Sequence, residues 1–111
     1  MNIKLKNIKK VFIAGAYGMV GSALRRAYMK SKDYYYNRDR LLIPKRSDLD
    51  LTNFEEVEIW FSKNKPEYVI IAAAKVGGIY ANYTYPYEFI LNNLKIQTNL
   101  IEISFKHKVE K

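Results

Sequence analysis

Three glycines spaced three apart, directly behind an apolar run, constrain this chain more than any other feature: Val11-Phe12-Ile13-Ala14-Gly15-Ala16-Tyr17-Gly18-Met19-Val20-Gly21. An unbroken run of this kind suits a parallel strand buried on both faces. The pattern beyond Gly18 is helical. Gly15 permits the tight turn between the two, Gly18 lets the backbone approach a ligand, and Gly21 lets the helix pack close to the strand. The free N–H groups of the first helical turn, at the positive end of the helix dipole, then suit a pyrophosphate. The spacing is G-x-x-G-x-x-G and not the commoner G-x-G-x-x-G, so the rest of the chain has to support it.

Residues 8–14 form the first expected strand. In the helix that follows, Val20, Ala23, Leu24, Ala27 and Tyr28 share one face, with Ser22, Arg25, Arg26 and Lys30 opposite. It fades in Lys30-Ser31-Lys32-Asp33, and Tyr34-Tyr35-Tyr36-Asn37-Arg38-Asp39-Arg40 reads as a loop over the sheet edge. Tyrosines beside arginines could alternatively stack on bases. Leu41-Leu42-Ile43 is a short second strand ended by Pro44, and Lys45-Arg46-Ser47-Asp48 lies at its far end. In a dinucleotide fold an acidic residue here bonds the ribose hydroxyls of NAD, whereas an arginine accommodates the additional phosphate of NADP. Two cations arrive first, and a guanidinium suits bidentate phosphate binding, so Arg46 points to NADP. The alternative is an exposed basic turn.

Thr52-Asn53-Phe54-Glu55 has the form of a capping box, with Thr52 as the cap. The helix it starts carries Phe54, Val57, Trp60 and Phe61 as a core stripe, and Asn64-Lys65-Pro66 stops it. Residues 68–73 are the third buried strand. Ala72-Ala73-Ala74 at its exit leave room for a flat ligand, and Gly77-Gly78 makes a permissive loop. Residues 79–86, with Asn82, form a further loop, and a long helix runs from Tyr87 to about Lys106. There Ile90, Leu94, Ile101 and Phe105 make one stripe, while Leu91, Ile96, Leu100 and Ile103 make much of the remaining surface apolar. Such a helix needs cover on two sides: the sheet, and a second copy or a companion chain. The order β-α-β-α-β-α defines an α/β fold, the N-terminal half of a Rossmann NAD(P)-binding domain occupying residues 1–111. Three parallel strands alternate with three helices in an incomplete doubly wound sheet. With further strands expected beyond the first, the first strand should be an unpaired apolar edge, which predicts association.

Apolar residues make up 49% of the 111 and aromatic residues 14%, which excludes a disordered chain. No cysteine is present, so disulfides, thiolate metal sites and cysteine catalysis are excluded within these residues. The lone His107 reads as a surface residue near a helix end. No apolar run reaches the roughly 18 residues of a membrane span, and the glycines break up what superficially imitates a signal peptide, so a cytoplasmic protein is expected. The net charge of +8 admits anionic partners, yet the lysines are scattered among element ends, a pattern of solvated surface more than of a nucleic-acid stripe.

Gly15, Gly18-Met19-Val20-Gly21-Ser22-Ala23, Arg46 with Asp48-Leu49-Asp50-Leu51, and above all Ala72-Ala73-Ala74-Lys75-Val76-Gly77-Gly78-Ile79 with Asn82 and Thr84-Tyr85-Pro86 resemble the GDP-L-fucose synthase family. These are NADP-dependent GDP-4-keto-6-deoxy-D-mannose epimerase/reductases of the extended short-chain dehydrogenase superfamily. The resemblance covers nearly the whole chain but only the N-terminal third or so of the family's length. It implies that Gly15, Ala16, Tyr17, Gly18, Met19, Val20 and Gly21 cradle the pyrophosphate of NADP(H). It also implies that Arg46 holds the 2′-phosphate, that Asp50 and Leu51 lie near the adenine, and that Ala72 and Ala74 line the cofactor. The family often has an arginine where this chain has Tyr17, which places more of the phosphate selectivity on Arg46. Its catalytic Ser, Cys, Tyr-x-x-x-Lys and His all fall beyond residue 111. Tyr28-Met29-Lys30-Ser31-Lys32 matches Tyr-x-x-x-Lys by spacing alone, away from the strand exits. No catalytic or metal-binding residue is therefore expected here, and the chain is expected to be inactive alone. A non-catalytic NADP-binding or docking module and a basic nucleic-acid-binding protein are the competing functions.

Overall fold

The computed structural model describes residues 9–73 and 86–111. Strand β1 is Val11–Ala14, and helix α1, Met19–Met29, follows the glycine turn. A short helix α2, Lys32–Tyr36, and a 3₁₀ turn, Arg38–Arg40, lead into β2, Leu41–Leu42. Helix α3, Phe54–Asn64, then precedes β3, Tyr68–Ile71, and helix α4 is Pro86–Lys106. All pairing is parallel, in the order β2-β1-β3, with Val11 opposite both Leu41 and Tyr68. The chain thus winds outward from β1 to β2 and crosses back to the other side of β1, as a doubly wound sheet does. This corrects the expected position of β1, which is central and paired on both sides. The outer side of β3 begins to be paired as well. Glu110 N–H donates to the Glu67 carbonyl at 2.9 Å, and Val69 N–H donates to the Lys111 carbonyl at 2.8 Å.

The period-2 alternation of a strand sends neighbouring β1 side chains to opposite layers. Phe12 and Ala14 join Leu49, Val57, Phe61, Ile96, Leu100 and Ile103 in the main core, between the sheet and α3 and α4. Val11 and Ile13 join Ala16 and Leu41 beneath Leu24, Tyr28 and Met29 of α1. The stripe expected on α3 is therefore the one that packs, with Val57 and Phe61 fully buried. On α1 the expected stripe is only half used. Val20, Ala23 and Ala27 are exposed, because the helix docks through Gly21, Leu24 and Tyr28. The third strand is less buried than its composition suggests: Ile70, on the α1 face, and Ile71, on the opposite face, are 38% and 40% exposed, so neither helical layer fully covers the end of β3.

Two local details also differ. Residues 32–36 are helical because Ser31 caps them, its Oγ accepting from the Tyr34 N–H at 3.2 Å. The cap of α3 is Asn53, one residue beyond Thr52. Asn53 Oδ1 accepts from the Glu56 N–H at 3.1 Å, while the Thr52 hydroxyl donates to Asp50 Oδ1 at 2.6 Å. Lys65 in the left-handed conformation, with φ of 49°, ends α3 ahead of Pro66. At the opposite end of the sheet Lys9 bridges Glu67 at 3.6 Å and Glu110 at 3.2 Å, tying together the segments that enter β1 and β3 and leave α4. The hydrogen bond that Lys9 Nζ donates to Glu110 chiefly raises the pKa of Lys9 above its usual 10.5. This contribution is complete below that value and is lost as pH rises through the elevated one.

Candidate cofactor site

The site grows from the turn between β1 and α1. Gly15 has φ of +83°, and a Cβ placed there would lie 2.5 Å from the Ala73 Cα, against backbone just past β3. Gly21 is tighter still: a Cβ would fall 1.8 Å from the Gly15 carbonyl oxygen. Both glycines are required by the chain's own packing, which brings α1 and the end of β3 against one turn. Gly18 differs. A Cβ there would meet only the Gly15 oxygen at 3.5 Å, an ordinary contact, so its missing side chain leaves open space at the start of α1. Gly18 is the N-cap, no side chain caps the helix, and its first turn carries no acidic residue. The first-turn N–H groups are thus available to an anion, with the dipole in its favour.

Beside this turn, the chain leaving β2 closes on itself. Asp48 N–H donates to the Lys45 carbonyl at 2.9 Å, and Lys45 N–H donates to Asp48 Oδ2 at 3.2 Å. The segment is then fixed from two sides: Glu56 Oε1 accepts from the Asp50 N–H at 3.0 Å, and Asn99 Nδ2 of α4 donates to the Leu51 carbonyl at 3.0 Å. Asp50 Oδ1 accepts both the hydroxyl and the N–H of Thr52. Those two bonds, the hydroxyl foremost, with Arg46 adding a smaller attraction, lower the Asp50 pKa below the usual 3.8. Asp50 is therefore a carboxylate at neutral pH.

Turn, loop and the β3 exit enclose a cavity of about 490 Å³ at the carboxyl end of the strands. Apolar groups from the main core, including Phe12, Leu49 and Ile96, line its inner side, and Arg46 and Asp50 bring charge to it. It lies at β1, where the winding of the chain switches from β2 on one side to β3 on the other, the place at which open α/β sheets take their ligands. Of the residues expected at the site, Gly15, Ala16, Tyr17, Gly18, Arg46, Asp50, Leu51 and Ala72 come together here. Met19, Val20 and Gly21 do not line it. Met19 is 90% exposed on the first turn of α1, and Gly21 is buried against Gly15 as a packing residue. Ala74, Gly77, Gly78 and Asn82 lie outside the described residues.

Ala73, one of the small residues expected to leave room at the β3 exit, lines the cavity too, and Pro44, Thr52 and Asn92 also line it and were not anticipated. The proximity of Ala73 follows from the positive φ of Gly15, and Asn92 is a polar interruption in the apolar pattern of α4. Tyr28, on α1, packs against the Val11 and Ile13 cluster with its ring centre 6.2 Å from that of Tyr34, and does not line the cavity. His107 is more enclosed than a surface histidine. It follows α4, its ring lies 5.9 Å from that of Phe61, and its Nε2 is shielded from solvent. No group of acidic and histidine residues able to hold a metal occurs among the described residues, and none of the described helices is long and apolar enough to cross a membrane.

A parallel sheet with its reversal at β1, an uncapped helix start behind a glycine turn, and a cavity spanning that turn and the next strand exits define a dinucleotide-binding α/β fold. Comparison with known proteins agrees. The chain belongs to the NAD dependent epimerase/dehydratase family, which it matches over residues 11–111. It is 48% identical over 102 residues to GDP-L-fucose synthase 1 of Arabidopsis thaliana, covering 92% of this chain and 30% of that protein. It is 47% identical over 111 residues to the GDP-L-fucose synthase of Sinorhizobium fredii, covering 100% of this chain and 33% of the relative. Among solved structures, the GDP-mannoheptose C4 reductase of Campylobacter jejuni with NADP bound superposes with a TM-score of 0.82 at 36% identity, covering 96% of this chain and 30% of that one. The chain thus spans about a third of the length of the curated relatives it matches.

Proposed function

We propose that these residues form the NADP(H)-binding N-terminal region of a nucleotide-sugar epimerase/reductase of the GDP-L-fucose synthase type. The observation that carries this is the cavity that joins the uncapped start of α1 to Arg46. In this proposal the N–H groups at Met19 and Val20 receive the pyrophosphate, beside Gly18, whose own N–H donates to the Gly15 carbonyl at 3.1 Å, and Arg46 receives the 2′-phosphate. The ionised Asp50 and the neighbouring Leu51 lie at the adenine. Ala72 keeps the β3 exit low enough for the cofactor to pass. NADPH supplies a hydride for reduction of a sugar ketone, and the residues described here bind and orient it. Proton transfer at the substrate carbonyl needs a positioned acid, which none of the residues lining the cavity is proposed to supply. The 111-residue chain should therefore bind NADPH without oxidising it in the presence of GDP-4-keto-6-deoxy-D-mannose. Loss of absorbance at the nicotinamide band would contradict this.

Arg46→Ala tests the phosphate assignment. It removes a charge-assisted contact made to NADPH but not to NADH, so the affinity for NADPH should fall about tenfold while that for NADH stays within about twofold. Parallel calorimetric titrations measure both, and equal losses would overturn the assignment.

The proposal extends to the outer face of α4. Ile90, Leu94, Ile101 and Phe105 are 59%, 53%, 62% and 87% exposed on one stripe, which suits a second copy or a companion chain. Ile101→Glu should shift the sedimentation of the chain towards monomer. An unchanged profile at every concentration would remove α4 as the contact.

A further inference from the structure

Two cations approach Tyr17, which lines the cavity, and a third, Arg46, lines the cavity itself, where Asp50 is the acid that attracts it. The Arg25 guanidinium lies 4.6 Å from the centre of the Tyr17 ring, and the Lys45 ammonium lies 5.9 Å from the same centre. Tyr17 lines the cavity, as does Arg46, the residue after Lys45. None of the ion pairs among the described residues involves Arg25, Lys45 or Arg46. The nearby acids are already engaged: Asp48 Oδ2 accepts from the Lys45 backbone N–H, and Asp50 Oδ1 accepts from Thr52. Arg25 itself is anchored. Its Nε donates to the Ala16 carbonyl at 3.1 Å, an acceptor shared with the Ser22 hydroxyl at 3.3 Å. One of the five guanidinium donors is thereby used and the outer fork remains available. Like charges held together repel unless an anion sits among them, while an aromatic face tolerates their approach.

Resting on the cofactor reading above, we propose that Tyr17 is a platform that brings Arg25 and Lys45 to the phosphomonoester recognised by Arg46. Discrimination for a 2′-phosphorylated adenosine would then belong to the cluster and not to Arg46 alone. In this arrangement Lys45 contributes a mobile point charge and Arg25 a planar fork with a fixed origin. Tyr17 is a positioning residue, which sets where the two charges stand.

The test compares adenosine 2′,5′-bisphosphate with adenosine 5′-monophosphate as calorimetric ligands of the 111-residue chain. The wild type should prefer the bisphosphate by about tenfold or more. Lys45→Ala should reduce that preference about three- to tenfold with affinity for the monophosphate within about twofold. Arg25→Ala and Tyr17→Leu should each reduce the preference in the same direction. Lys45→Ala is the decisive arm, because its side chain makes no hydrogen bond with the described residues and its loss leaves the glycine turn intact. Matched thermal melts establish that each variant is folded. If the wild type binds both ligands without preference, or if Lys45→Ala leaves the preference unchanged or weakens the two ligands equally, the cluster is overturned while the cofactor reading stands. A wild type that binds neither ligand overturns both.

Discussion

Gly21→Ala should destabilise the chain by more than about 3 kcal/mol, against an intrinsic helix preference that runs the other way. At an exposed helical position, replacing glycine by alanine is worth roughly 1 kcal/mol of stabilisation. Here the added methyl would stand 1.8 Å from the Gly15 carbonyl oxygen and 2.9 Å from the Ala16 Cα, all of it backbone. No rotamer change can relieve such an overlap. Helix α1 would have to lift from the turn, giving up the packing of Leu24 and Tyr28 on Val11 and Ile13. For a domain of this size the melting temperature should fall by more than about 10 °C. A variant that melts at or above the wild-type temperature would mean that α1 does not seat on the turn, and the anion site at its start would go with it.

Phe61→Ala should cost about 3–5 kcal/mol, the range for removing a large buried side chain without collapse around the gap. Phe61 is fully buried where α3, α4 and the sheet meet, with ring centres of Phe12 at 5.7 Å, Trp60 at 5.6 Å and His107 at 5.9 Å. Its neighbours belong to three separate elements, so no single one can move in to fill the space. Against a total stability of about 5–15 kcal/mol typical of folded domains, that is a large share of the whole. Urea denaturation measures the change, and a loss below about 1 kcal/mol would contradict the layer arrangement. The two substitutions fail differently: Gly21→Ala strains the site itself, whereas Phe61→Ala empties the layer that supports it from behind.

What could be read from the residues alone divides along a physical line. The strand–turn–helix at Val11–Met29 was legible because its constraints are local: apolar run, glycine spacing and helical period sit within twenty residues. The α3 stripe of Val57 and Phe61 was legible for the same reason. Strand order was not. Nothing in the crossover through α3 says on which side of β1 the third strand lands; that is decided by how the helical layers cover the sheet. Helix α4 carries two apolar stripes, so its period could not show that the one with Ile96, Leu100 and Ile103 faces the core while Ile101 and Phe105 face out. Thr52 and Asn53 are both good caps, and the choice fell to Asn53 because Asp50 takes the Thr52 hydroxyl. At the site, Arg46 was found through its position after a strand. Lys45 was visible only as the first of two cations at that strand end, and Arg25 gave no such signal, since helical cations are usually solvated; their approach to the Tyr17 ring singles both out.

The central claim is that a dinucleotide lies across the start of α1, the loop after β2 and the exit of β3. Titrating the ¹⁵N-labelled chain with NADPH and following its amide resonances tests that claim most directly. Saturable shifts should concentrate at Gly15, Gly18, Met19 and Val20, at Arg46, Asp50 and Leu51, and at Ala72 and Ala73, with the amides of Lys65 and Lys108 at the opposite end unmoved. Absence of binding, or shifts confined to the lysine-bearing ends of the elements, would contradict the account.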